Sequence, residues 1–181
     1  MLQLAKALAK DDPKFFGGWI VAGVEAHVRG NAVRFTNKTV LNKAHKAILE
    51  VEGTSAFGSV LKKLRVFLVL PTVSAESKAE AEQVPEGKVL FAHYFTEQEV
   101  AAYVTYTGDE NVIHKGPKPI VPGLCMAAFL QEKLELSSLD WRISFLHPVR
   151  TGELLSFYSV ANEIRAYVDK TPAFIVKLLE E

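Results

Sequence analysis

The sequence predicts an α+β fold in which an antiparallel sheet wraps around one buried helix. Three observations carry this expectation. Short apolar runs, some strictly alternating with polar residues, recur in both halves of the chain, as strands with one face in a core require. Residues 124–134 are apolar around nearly the whole of their first two turns, which suits a helix enclosed by other structure. Turn signals at residues 29–31, 151–153 and 169–172 separate the runs.

Taken in order, Ile20, Ala22, Val24, Ala26 and Val28 alternate with mostly larger or polar residues and read as a strand. Residues 32–39, 47–51 and 60–70 read as further strands, so residues 1–80 form a mostly β half. Residues 74–88 are polar and end in Pro85 and Gly87 close together, the composition of a solvated connector. The second half, residues 81–181, opens with an apolar run at 89–95 and then changes period. Thr96 followed three residues later by Glu99 is a capping box, each side chain satisfying a backbone N–H of the other, so a helix begins at Glu97. Val100, Tyr103 and Val104 give it an apolar face, and Gly108 takes the left-handed conformation that ends it. Pro122 and Gly123 start the buried helix, expected over about residues 123–135. Residues 141–146, 154–161 and 173–179 read as strands. Two β-rich halves of similar length permit a degenerate internal duplication.

Composition narrows the function classes. The 181 residues suit one domain or two small, tightly packed ones, and 49% hydrophobic with 23% charged residues is ordinary for a folded, water-soluble protein. Lys plus Arg equals Asp plus Glu at 21 each, so no global positive field draws nucleic acid or an anionic membrane. The most apolar stretches, 15–24 and 66–70, are about half the roughly 20 residues that cross a bilayer, and read as buried strands. Residues 1–10 run straight into Asp11, Asp12 and Pro13, unlike a secretory signal. Cys125 is the only cysteine, which excludes an intrachain disulfide and a cysteine-based metal site and fits a reducing, cytoplasmic setting.

The segment YTGDENVIH, residues 106–114, places a carboxylate, a carboxamide and an imidazole within six residues after a helix stop. Asp109 and His114 are candidates to hold one water and trade its protons as it adds to a carbon next to a polarised group, with Asn111 fixing the turn or a neighbouring side chain. A plainer account stands beside this one. In it Asp109 caps the turn, Asn111 tolerates an awkward backbone angle and His114 is a hydrogen-bonded surface residue. Nine residues on, Gly123 opens the buried helix, where unpaired N–H groups and a partial positive charge collect. The N–H of Gly123 or of Leu124 is a candidate to grip a thioester carbonyl oxygen and stabilise the enolate-like charge that develops on it. By itself, Pro122-Gly123 is an ordinary helix start.

These segments together resemble a family. TGDENVIH, then PIVPGLCMAAFL, then ISFLHPVRTGELLSFY are similar, in that order, to the signature of the MaoC-like dehydratases and (R)-specific enoyl-CoA hydratases of the hot-dog superfamily. That signature couples Gly-Asp-x-Asn and a His to a Pro-Gly or His-Gly start of the central helix, then to an aromatic, Pro-Val, Gly-acid strand pair. The resemblance covers residues 88–165 and implies a hot-dog fold, single or degenerately doubled, that adds or removes water across the 2,3 bond of an acyl thioester. It implies that Asp109 and His114 activate the water, Asn111 orients them and Gly123 supplies the oxyanion N–H. Phe145, Pro148, Val149, Gly152 and Glu153 are implied fold determinants. The substrate itself carries coenzyme A or acyl carrier protein, with no separate cofactor and no metal, and a homodimer or internal pseudo-dimer is implied. Val112 stands where the family usually has Pro. HKGPKPIVPG is shorter than the family's segment between the His and the helix Gly, so the site is either more open or covered by the N-terminal half.

Two rivals share the fold: a thioesterase, and a non-catalytic acyl-thioester binder. Lys115 and Lys118 are candidates to meet coenzyme A phosphates, with a solvated loop as the plainer reading. His27, His45, His93 and His147 have no spaced partner and read as structural or exposed, and Cys125 as a small apolar core residue.

Overall fold

The computed structural model describes residues 1–9, 17–71, 88–136 and 140–179. Apolar alternation organises its sheet. In β1 (Ile20–Val28) Val24, Ala26 and Val28 are buried, while Glu25 and His27 face away from the core. β4 (Val60–Val69) sets Leu64 opposite Ala26 and Val66 opposite Val24, and β3 (Lys46–Thr54) sets Val51 and Leu49 opposite those two in turn. β2 (Arg34–Lys43) closes this edge. β1 also pairs with β6 (Trp141–Phe145), and that pairing joins the strands of the two halves. Beyond β6 come β9 (Thr171–Leu178), β8 (Glu163–Val168), β7 (Leu155–Val160) and β5 (Lys88–His93). The described strands thus form one antiparallel sheet of order β2-β3-β4-β1-β6-β9-β8-β7-β5.

The helices occupy the core side. α2 (Glu97–Thr107) begins with the expected capping box, Thr96 Oγ1 accepting from Glu99 N at 3.1 Å and the Glu99 carboxylate accepting from Thr96 N at 2.7 Å. It ends at Gly108, whose φ of 77° is the left-handed stop. α3 (Gly123–Lys133) packs against β1 with Leu124, Met126, Ala127 and Leu130 buried, and is the central helix the composition of this segment predicted. A third helix, α1 (Leu2–Ala9), was not legible in the sequence. Leu4, Ala5 and Leu8 are buried against α2, α3, β2 and β3, and Asn37 Nδ2 donates to the Ala7 carbonyl. Eight residues are too few for a helix to hold by propensity alone, so packing supplies its stability.

Two further differences have simple causes. β8 was missed because the β7–β8 hairpin turns at Ala161 with φ 51°, where a left-handed backbone ordinarily advertises itself by Gly or Asn. The connector expected at residues 74–88 lies outside the described residues except for Lys88, which opens β5. On the outer face the register lines up Lys38, Glu50, Arg65, Glu25 and Arg142 across five strands, a row of alternating charge. Glu50, 1% exposed, is held between Lys38 (2.7 Å), Lys63 (3.1 Å) and Arg65 (2.8 Å). Burial works to raise its pKa, but these three cations outweigh it and hold the carboxylate down at about 2.

Candidate active site

The stop at Gly108 delivers the chain directly into the polar loop. Asp109 Oδ1 accepts from the Asn111 backbone N–H at 3.0 Å, a turn that leaves Oδ2 directed elsewhere. Asn111 then caps a single turn of 3-10 helix, Val112–His114, its Oδ1 accepting from Ile113 N at 3.4 Å. The same oxygen accepts from Gly18 N at 3.1 Å, and Nδ2 donates to the Trp19 carbonyl at 2.9 Å. Asn111 therefore buckles the loop to the residues that lead into β1, and both ends of its carboxamide are taken up by backbone.

That turn carries His114 toward Asp109. Its side chain is 8% exposed, and Nε2 lies 3.7 Å from Asp109 Oδ2, too long for a direct hydrogen bond. Nδ1 is 2.7 Å from the Ile120 carbonyl, which can only accept, so Nδ1 carries the proton and Nε2 keeps its lone pair. Burial pushes the His114 pKa below its ordinary value, while Asp109 and the Ile120 carbonyl pull the other way. The ring is a neutral acceptor facing a carboxylate oxygen.

Asp109, His114 and the start of α3 line one cavity of about 370 Å³. Pro122 at the N-cap of α3 offers no side-chain acceptor, and the N–H groups of Gly123 and Leu124 have no partner among the described residues. Gly123 is required by packing: a Cβ there would meet Val21 Cβ at 2.9 Å and Phe145 Cε2 at 3.3 Å. Close seating on β1 and β6, rather than room for a ligand, explains the glycine. Ala5 and Leu8 of α1 and Val66 and Leu68 of β4 add apolar lining, so the N-terminal half contributes to the wall of this cavity.

The remaining candidates separate cleanly. Lys115 and Lys118 are exposed and lie off the cavity wall, the Lys118 N–H donating to Glu97 Oε1 at 3.1 Å. Burial pushes the Cys125 thiol up to about 12, in keeping with a core role. His27 pairs with Asp140 at 2.8 Å on the outer face, and His93 stacks on Phe129. His147 does line the cavity, its Nδ1 2.7 Å from the Pro172 carbonyl. Nothing local in the sequence could have placed it there, because its partner is 25 residues away. Tyr103, read only as part of a helix face, also lines the cavity. Among the described residues no group of three His, Cys, Asp or Glu side chains could hold a metal ion.

No protein-family model and no curated protein sequence matches the chain. Solved structures do. HtdX from Mycobacterium tuberculosis superposes with a TM-score of 0.68 at 13% identity, over 98% of this chain and 84% of that one. A MaoC-like dehydratase from Phytophthora capsici gives 0.58 at 14% identity, over 91% and 72%. An acyl-ACP thioesterase from Bacteroides thetaiotaomicron gives 0.57 at 7% identity, over 90% and 76%. The chain has the hot-dog fold, the architecture of the MaoC-like dehydratase and of the acyl-ACP thioesterase alike.

Proposed function

We propose that the protein is a MaoC-like hydro-lyase that adds water across the 2,3 double bond of an enoyl thioester, or removes it in reverse. One observation carries this reading. The lone pair of neutral His114 and the free oxygen of Asp109 face each other across 3.7 Å, in a cavity that also presents the open N–H groups of Gly123 and Leu124. Two acceptors at that separation suit a water that gives one proton to each. His114 Nε2 takes a proton as the hydroxyl oxygen bonds to C3, and the electron pair of the double bond moves toward the thioester oxygen, where the helix-start N–H groups meet the developing charge. The acid–base pair returns a proton to C2, so one water has been added. Asn111 positions the pair without touching substrate. The acyl chain lies toward Leu8 and Leu68, and we read residues 1–80 as a reduced second hot-dog unit whose helix is α1.

The test is incubation with a short trans-2-enoyl-CoA while conjugated-enoyl absorbance and free thiol are both followed. Hydration lowers the absorbance alone. Thiol release marks the thioesterase reading, which the fold shared with the acyl-ACP thioesterase supports, and no change in either marks a binder. Asp109→Asn and His114→Ala are each expected to slow hydration by about 100-fold or more, the usual worth of a positioned acid or base. Hydration that survives both substitutions overturns the site.

A further inference from the structure

One hydroxyl on the cavity wall has no use in the mechanism above. Tyr103 lies on the inner face of α2, one turn before Thr107, and is 6% exposed. Thr107 satisfies its own hydroxyl by donating to the Tyr103 carbonyl at 2.8 Å. The Tyr103 phenol has no hydrogen-bond partner among the described residues. The hydroxyl oxygen is not sealed inside the protein but opens to the cavity, so it is available to a partner that comes from outside. It has a proton to donate there: burial, with the Asp109 carboxylate and then Cys125 adding to it, pushes the phenol well above its ordinary pKa.

The site's own chemistry identifies the acceptor. A water held between Asp109 Oδ2 and His114 Nε2 spends both protons on two acceptors, which leaves its lone pairs in need of a donor. The thioester oxygen already has donors at Gly123 and Leu124, and Tyr103 lines the same cavity as Asp109 and His114, with the Asp109 carboxylate acting on its phenol. We propose that Tyr103 is a substrate-contacting residue whose hydroxyl donates a hydrogen bond to the oxygen on C3 of the acyl chain, the oxygen that arrives as water in hydration and departs as water in dehydration. This rests on the hydro-lyase reading. One lone pair of the oxygen bonds to C3 while the other accepts from Tyr103, and in dehydration the same bond eases departure of the hydroxyl. The group also makes the site selective for chains that carry an oxygen at C3 over chains that do not.

Selectivity can be measured without turnover. Two coenzyme A thioethers of equal chain length, one with a 3-hydroxyl and one without, lack the C1 carbonyl and cannot react. Calorimetric titration of the wild type is expected to show tighter binding of the hydroxylated compound, and Tyr103→Phe is expected to reduce that preference about fivefold, the range of one neutral hydrogen bond, with the remainder coming from Asp109 and His114. Equal binding of both compounds by the wild type, or a preference undiminished in Tyr103→Phe, overturns the role of Tyr103 and leaves the hydro-lyase reading standing. Failure of the wild type to bind either compound overturns the acyl-thioester reading and this role with it. If Tyr103→Phe does not fold, as judged by its thermal transition, Tyr103→Leu replaces it under the same criteria.

Discussion

Gly123→Ala tests whether the start of α3 is set by its contact with the sheet. The added Cβ would sit 2.9 Å from Val21 Cβ, 3.1 Å from Val21 Cγ1 and 3.3 Å from Phe145 Cε2. Carbon atoms in favourable contact are about 3.5–4.0 Å apart, so each of these is too close. Val21 Cβ is anchored to the backbone of β1, and no rotamer change moves it. The helix start must therefore lift off the sheet by several tenths of an ångström. Two effects oppose each other. Alanine favours helix over glycine by up to about 1 kcal/mol, and less at a first position, whereas overpacking a filled site costs about 1–3 kcal/mol. Overpacking wins, with a net loss of about 1–2 kcal/mol in urea unfolding. Lifting the helix also displaces the Gly123 and Leu124 N–H groups, which must lie about 2.7–3.1 Å from the developing oxyanion. Hydration is expected to slow toward the ~100-fold that a misplacement near 1 Å can cost. A variant as stable as the wild type and equally fast would refute both the packing account of the glycine and its place in catalysis.

Two further outcomes are expected. Asn111→Ala removes the bonds to Gly18, Trp19 and Ile113, and should cost about 2–3 kcal/mol in urea unfolding, with faster amide exchange at Gly18; a loss below about 0.5 kcal/mol would show that the loop does not depend on this buckle. Glu50 stabilises the fold fully above its ordinary value of 4.5, because its folded pKa is depressed to about 2, and that contribution disappears as pH falls through that window. At ~1.4 kcal/mol per pKa unit it is worth about 3 kcal/mol, so unfolding free energy measured from pH 6 to pH 2 should fall about that much less steeply in Glu50→Gln than in the wild type; parallel curves would remove the charge row from the account of stability.

What the sequence determined alone is what neighbours along the chain can settle. The reciprocal Thr96–Glu99 cap, the left-handed stop at Gly108 and the all-round apolar start of α3 depend on contacts within a few residues, and each was legible without coordinates. So was the Asp109-to-His114 cluster, because its members share one short loop. The rest depended on contacts between distant residues. Asn111 finds its partners 92 and 93 positions away, Gly123 is required by Val21 and Phe145, and α1 is a helix because it has a core to cover. Whether Asp109 and His114 share a cavity, which ring nitrogen keeps its lone pair and which tyrosine lines that cavity were decided only when the sheet closed around α3. Local chemistry chooses caps and turns, but the distance between a carboxylate and an imidazole belongs to the packing that holds them.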